Sequence, residues 1–156
     1  TFLAVAYFNQ GRVEEAQMLV EEVLRQHPHL DGVQPVLAWC LSAQGQHEEA
    51  RALVTERVKE TGRADHDIAF WLASFYAMEN LPDEALEWGR LSVRLGNENY
   101  PLFAASKKLD NLRGNPLFGE FLEELKRRWD ARSGDLSGAG MTEEAPRERP
   151  PLAAAD

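Results

Sequence analysis

The sequence predicts an all-α protein made of repeated helical hairpins, and one recurring turn carries that prediction. The six residues at 11–16 return in similar form at 45–50 and again at 80–85. The copies begin 34 and 35 residues apart, a spacing typical of helix pairs stacked in a solenoid. Each copy begins with a residue that tolerates left-handed backbone angles, which ends one helix. Two acidic residues follow and open the next helix near its positive dipole end.

The composition is ordinary for a globular chain, and its charge bears on the class of partner. Of the 156 residues, 44% are hydrophobic and 28% are charged. The 17 basic and 26 acidic residues give a net charge of -9, which repels phosphate backbones and anionic lipid surfaces. No apolar run approaches the roughly 18 residues that a membrane span needs. We therefore expect neither nucleic acid nor a membrane as a partner.

Two single residues bear on the cellular compartment and on whether the chain is part of a longer protein. Cys40 has no second cysteine to pair with, and we interpret it as a small buried apolar residue. The lack of a disulfide fits a reducing compartment, which predicts a cytoplasmic location. Thr1 falls inside a helical pattern, so we expect the chain to be a fragment of a larger protein.

The first helix of each hairpin contains three apolar or small residues that recur in register. Two adjacent positions and a third one turn later form one buried face of a helix. In successive hairpins these positions hold Leu3, Ala4 and Tyr7; Leu37, Ala38 and Leu41; and Leu72, Ala73 and Tyr76.

The return helices show apolar or small residues at three- and four-residue steps. We place them at about 13–26, 47–62 and 82–95. In this register Arg57 takes the position of Val23 in the first hairpin and of Ser92 in the third. We expect the Arg57 methylenes to pack there while the charged group reaches water.

These residues resemble the tetratricopeptide repeat, from Thr1 to about residue 97. The resemblance rests on a leucine, a small residue and a tyrosine in one helix, followed by glycine and acidic-acidic-alanine entering the next. It implies a right-handed α-solenoid of about three helical hairpins. It also implies that the first helices line a concave surface that holds a protein or peptide.

The C-terminal part departs from the repeat. Its pattern predicts a short helix at 101–109 and a final amphipathic helix at 116–129, with Asn115 as the N-cap. The run from Leu109 to Phe118 resembles the segment that closes tetratricopeptide domains of bacterial signalling proteins. This resemblance implies that the chain is the C-terminal part of a larger bacterial protein. We therefore predict a capped solenoid at 1–130. The Gly-, Ala-, Pro- and charge-rich residues 131–156 are predicted to form a disordered tail.

Residues that could carry chemistry do not converge in the sequence. The four histidines, which are His27, His29, His47 and His66, lie at helix ends and turns, and we interpret them as solvated. The acidic pairs recur at one repeat position, which favours helix N-terminal charges over catalytic carboxylates. We predict a non-catalytic protein with no cofactor and no metal site.

The resemblance also indicates which side chains would line the groove, namely those just off the leucine-and-tyrosine face of the first helices. The predicted groove residues are Phe2, Val5, Phe8, Asn9, Val36, Trp39, Ser42, Ala43, Phe70, Trp71, Ser74 and Met78. Val5, Trp39 and Ser74 share one repeat position on the side away from the return helix. We therefore expect the Trp39 ring to lie outside the inter-helix core. The alternative for any one of these residues, Trp71 above all, is that it belongs to the core.

The predicted function is an interaction module that binds an apolar helical or extended segment in its concave groove. The segment would belong to a protein partner or to an adjoining domain of the parent chain. Relatives that clamp an acidic chaperone C-terminus use lysines, asparagines and an arginine on this surface, and only Asn9 fits that pattern here. The alternative is a structural solenoid segment whose groove is filled by the upstream part of the same chain or by self-association.

Overall fold

A computed structural model describes the backbone of residues 1–138 and the side chains of residues 1–133. Over that range the chain forms nine α-helices and two short 3-10 segments, with no β-strand. The α-helices are α1 Phe2–Asn9, α2 Val13–Gln26, α3 Gln34–Ala43, α4 His47–Leu53, α5 Glu56–Gly62, α6 His66–Met78, α7 Pro82–Arg94, α8 Tyr100–Ala105 and α9 Pro116–Gly138. The 3-10 segments are Asp31–Val33 and Lys107–Leu112.

The helices stack as antiparallel pairs, which confirms the predicted α-solenoid. α1 pairs with α2, α3 with α4, and α6 with α7, while the first helices α1, α3 and α6 contact one another in order. The 3-10 segment Lys107–Leu112 packs against α6, and α9 packs against α7 and α8. The C-terminal residues therefore take the place of a fourth pair at the end of the stack.

The three recurring turns have the same backbone geometry. Gly11, Gly45 and Asn80 all have positive φ, at 80°, 79° and 56°. In each turn the amide of the following residue donates to a carbonyl five residues back, at 2.9 Å every time. This bond is typical of the Schellman helix ending, and it satisfies a carbonyl that the helix itself leaves free. The three turns therefore end the first helix of each pair at a residue with left-handed backbone angles, as predicted.

The second return helix is broken, contrary to the single helix predicted at 47–62. Val54 leaves the helical region and Thr55 is fully extended, with ψ of 169°. The Thr55 hydroxyl then accepts a hydrogen bond from the amide of Val58 at 3.4 Å and caps the new helix α5. The extra residue of the 35-residue spacing is accommodated at this break.

The break changes which residue occupies the repeat position after it. Val58 is 1% exposed and lies 35 residues after Val23, so it fills the buried position. Arg57 instead points outward, with its side chain 69% exposed and its guanidinium 2.8 Å from the Asp31 carboxylate. The expectation that Arg57 packs in the place of Val23 is therefore wrong.

The final helix begins as predicted and ends later. The Asn115 side chain accepts the amide of Leu117 at 2.9 Å, as an N-cap should. Helix α9 continues to Gly138, past the domain boundary predicted at residue 130. The Lys126–Asp130 pair, at 2.6 Å and one helical turn apart, supports this extension. The rest of the predicted tail, 139–156, lies outside the described residues.

None of the helices in the described range is both long and apolar enough to cross a membrane.

Candidate functional site

The concave face is largely closed along the N-terminal halves and middles of its first helices. Six of the twelve predicted groove residues are less than a tenth exposed: Val36, Trp39, Ser42, Phe70, Trp71 and Ser74. Trp39 is 0% exposed, so the prediction that its ring lies outside the inter-helix core is wrong. Trp71 belongs to the core, which is the alternative stated for it above, because it is only 7% exposed.

Aromatic packing between the first helices closes this part of the face. The Trp39 ring lies 5.6 Å from the Phe8 ring and 6.2 Å from the Trp71 ring, and its Nε1 donates to the Trp71 carbonyl at 2.9 Å. Phe2 is 69% exposed, yet its ring meets Trp71 edge-on at 5.9 Å. These large side chains fill the space between α1, α3 and α6. These rings hold the helices together, since aromatic pairs at such distances are attractive.

Residues of α8 and of the second 3-10 segment also pack against the concave face. Phe103 of α8 packs edge-on against Phe70 at 5.0 Å. Lys108, in the second 3-10 segment, extends its ammonium to 4.6 Å from the Trp39 ring centre and donates to the Asn9 side chain at 2.5 Å. Residues 99 positions apart in the chain therefore meet across the concave face.

Lys108 is a partly buried cation whose nearest partners are neutral. No carboxylate among residues 1–133 lies within ion-pairing distance of its ammonium. Burial lowers the pKa of Lys108 to about 8, because the charged form loses its water. The aromatic faces of Trp39 and Phe8 offset part of that cost through cation–π attraction.

An open cleft remains at the C-terminal ends of the first helices. Its volume is about 640 Å³. The lining residues are Phe8, Asn9, Gln10, Gly11, Met78, Leu102, Ala105, Ser106, Lys107 and Lys108. Of the predicted groove set, Phe8, Asn9 and Met78 line it. Val5 is partly buried and Ala43 is exposed, and neither belongs to this cleft.

A buried acidic residue beside this cleft was missed by the sequence analysis. The Glu79 side chain is 0% exposed and holds three groups of the preceding hairpin. It accepts hydrogen bonds from Ser42 at 2.6 Å and from Arg51 at 2.7 Å, and it lies 2.8 Å from His47 Nδ1. His47 therefore has a partner, although it is half exposed as a turn residue would be.

The partners of Glu79 keep it ionised in the fold. Burial by itself would raise the pKa of Glu79, but the hydrogen bonds from His47 and Ser42 and the charge of Arg51 hold it below its ordinary value of 4.5. One sequence signal could have drawn attention to Glu79: it is a carboxylate at the repeat position that Gln10 and Gln44 occupy in the other hairpins. That signal did not identify the partners, because they come from another hairpin.

The cysteine and the possible metal ligands complete the account of reactive groups among residues 1–133. Cys40 is fully buried, and burial raises the pKa of its thiol to about 12, which disfavours the thiolate needed for nucleophilic attack. Among the described residues no three His, Cys, Asp or Glu side chains converge as metal ligands would.

Comparison with known proteins places the repeats in a family. Two family models match the chain, both described as tetratricopeptide repeat, over residues 7–63 and 36–100. No curated protein and no solved structure matches the chain.

Proposed function

Because residues 7–100 form a tetratricopeptide repeat domain, a kind of domain that generally mediates protein–protein interaction, we propose that this chain binds a partner protein through its open cleft. The partner would insert an apolar helical or extended segment between α1 and the α8 region. This proposal keeps the function predicted from the sequence and moves its site to the C-terminal ends of the first helices.

The observation that carries the proposal is the apolar floor of a cleft of about 640 Å³. Phe8 and Met78 are half-buried and Leu102 is 37% exposed, so all three present apolar surface to the solvent. Burying one leucine or phenylalanine of a partner in such a cleft is worth about 1.5 to 3 kcal/mol. Methionine adapts to different partner shapes, since its side chain is unbranched and flexible.

The polar rim would orient the bound segment. Asn9, Lys107 and Lys108 supply donors on the walls of the cleft, and no acidic residue lines it. Backbone carbonyls of an extended segment are suitable acceptors for these donors. Because apolar desolvation would supply most of the free energy, we expect added salt to weaken the complex only slightly.

A second candidate, structural extension of the solenoid, is favoured by a different surface. Leu3, at 56% exposure, and Met18, at 69%, present apolar groups on the first hairpin. A hollow of about 150 Å³ between α1, α2 and the segment before α3 contains Leu3, Leu19 and Val23. Such a surface suits another helix of the same polypeptide or of a second copy, since solenoid repeats are stabilised by their neighbours.

Selection from a random peptide library displayed on phage tests the first candidate. The affinity of the enriched peptides for the wild type and for Met78→Lys would then be measured by calorimetry. This variant places a charge on the cleft floor. We expect binding at least about tenfold weaker, because the lysine must be desolvated or the peptide displaced.

Met18→Lys is the matched control, since Met18 is an exposed methionine on α2, away from the cleft. It should bind the selected peptides as the wild type does. Equal affinity of Met78→Lys and the wild type would reject the cleft as the site. Failure to enrich any peptide, together with concentration-dependent dimerisation through Leu3, would favour the structural candidate.

A further inference from the structure

Lys108 brings a positive charge without a counter-charge to the open cleft on the concave face. Its ammonium donates to the Asn9 side chain at 2.5 Å and lies 4.6 Å from the Trp39 ring centre and 5.6 Å from that of Phe8. These partners fix the position of the ammonium, and all of them are neutral. An ammonium has three donors, and Asn9 uses one of them. The others are available to an acceptor that enters the cleft.

Two carboxylates lie near the cleft, and both have other partners. Asp110, two residues after Lys108, lies 3.4 Å from Arg113. Glu79 is held by the three groups of the preceding hairpin. Among the described residues none that lines the cleft is acidic, whereas Lys107 adds a second positive charge there. The cleft is therefore locally positive, although the whole chain carries a charge of -9.

The state of the Lys108 ammonium favours pairing with a carboxylate. Folding has already removed much of its water, which lowers the pKa of Lys108 to about 8, and the group is still mostly protonated at pH 7. Most of the further desolvation on binding would therefore fall on the carboxylate. Attraction between the two charges is also stronger beside apolar walls than in bulk water, because the local dielectric constant is lower. An ion pair formed here is consequently stronger than one formed with an exposed lysine.

We infer that the segment bound in this cleft carries one acidic side chain, whose carboxylate pairs with Lys108 while its apolar neighbours contact Phe8, Met78 and Leu102. The inference rests on the proposed function, because it names the chemistry of the partner at the same site. One half-buried cation calls for one carboxylate. A segment rich in acidic residues would gain little more, since Lys107 is exposed and the net charge of the chain is negative. A single partly enclosed ion pair is also screened little by salt, as expected above for the complex.

The position of the acidic residue within the segment follows from the apolar lining. That lining comes from three elements, with Phe8 from α1, Met78 from α6 and Leu102 from α8. A chain that continues in both directions from the acidic residue is able to contact all three. A chain end offers apolar side chains in one direction only. The carboxylate is therefore an internal glutamate or aspartate, unlike the chaperone C-terminus that relatives clamp.

Two matched libraries of short blocked peptides test the inference on the full chain. The central residue is glutamate in one library and glutamine in the other, and the flanking positions are varied among alanine, serine, leucine, methionine and phenylalanine. Labelled protein is bound to arrays of both libraries, and the affinities of the best-bound pairs are then measured by calorimetry. The glutamate member of each pair should bind about tenfold more tightly than its glutamine partner.

Variants of the lysine assign this preference to one charge. Lys108→Met should bind both members of a pair equally, and so should Lys108→Gln, which keeps a donor and loses the charge. Lys126→Met is the matched control, because it removes the same charge from an exposed lysine of α9 that does not line the cleft. This control should keep the preference for glutamate. Circular dichroism melting of each variant verifies that it is folded.

Four results would overturn the inference. They are equal affinity of the wild type for paired peptides, a glutamate preference that persists in both Lys108 variants, loss of that preference in Lys126→Met, and an equal gain when glutamine peptides carry a free C-terminal carboxylate. The last would identify a chain end as the ligand. Glutamine peptides that bind the wild type and not Met78→Lys would leave the proposed function intact in every one of these cases. Absence of binding to all peptides of both libraries would reject the inference and the proposed function together.

Discussion

The closed part of the concave face and the open cleft beside it have different properties. Toward the N-terminal halves, Trp39 and Trp71 fill the space between neighbouring first helices and are almost inaccessible. At the C-terminal ends, Phe8 and Met78 border an open cleft, and the helices are joined by the buried Glu79 cluster. One part is held by ring packing, and the other is held by charge-assisted hydrogen bonds.

The difference shows that a repeat position does not determine exposure. Val5, Trp39 and Ser74 occupy one repeat position, yet Trp39 and Ser74 are fully buried and Val5 is not. Trp39 is core because the Phe8 and Trp71 rings of the two neighbouring first helices lie against it.

The largest effect is expected from Trp39→Ala in the closed part. Removing the ring leaves a cavity and deletes the hydrogen bond to the Trp71 carbonyl, so the free energy of unfolding should fall by about 3 to 5 kcal/mol. Met78→Ala, in the open part, should cost about 1 kcal/mol or less because Met78 is half exposed. Urea unfolding followed by circular dichroism measures both. A stable Trp39→Ala that loses peptide binding would restore the original groove prediction.

The Glu79 cluster should give the next largest effect, and one that depends on pH. Glu79→Gln keeps acceptor capacity and loses the charge, which should lower the free energy of unfolding by about 1 to 3 kcal/mol at pH 7. The pKa of Glu79 is lower in the folded than in the unfolded state, so its contribution is present above pH 4.5. That contribution is lost as the pH falls through the folded-state value.

Unfolding curves between pH 3 and 7 check this dependence, with Glu60→Gln as the control, since Glu60 is an exposed glutamate on α5. The difference between Glu79→Gln and the wild type should shrink as the pH decreases below about 4.5. A constant difference across that range would mean that the charge of Glu79 is not what stabilises the cluster.

Lys108→Met should stabilise the protein modestly at pH 7. The pKa of Lys108 falls from 10.5 to about 8 on folding, so the charged form opposes folding below pH 8. Wild-type stability should therefore increase between about pH 8 and 10.5, as the unfolded chain binds a proton that the folded chain has lost. We expect Lys108→Met to raise the free energy of unfolding by about 1 kcal/mol or more at pH 7 and to flatten that rise. A lower melting temperature would show that the contacts with Trp39 and Asn9 outweigh desolvation.

The smallest effect is expected from Ser74→Ala in the closed part. The Ser74 hydroxyl is fully buried and has no hydrogen-bond partner. Replacing an unsatisfied buried hydroxyl with a methyl group should be neutral or stabilising by up to about 1 kcal/mol. The melting temperatures of Ser74→Ala and Ser42→Ala check this prediction, since Ser42→Ala removes a hydrogen bond to Glu79. Ser42→Ala should be destabilising.

The sequence by itself determined the repeating hairpins, because their signals are local. Gly11, Gly45 and Asn80 end helices through positive φ, and the acidic residues that follow lie in the next first turn, as expected. The Asn115 cap also depends on neighbours in the chain. Each of these features needs only a few consecutive residues.

Only the tertiary structure decided which inner residues are core and where a cleft remains. Trp39 is buried by Phe8 and Trp71, and Lys108 reaches Asn9 across 99 positions. Such contacts depend on how the first helices pack against one another and against the C-terminal segment. Periodicity gives the face of a helix on which a side chain lies, but not the distance to the next element, and that distance sets burial.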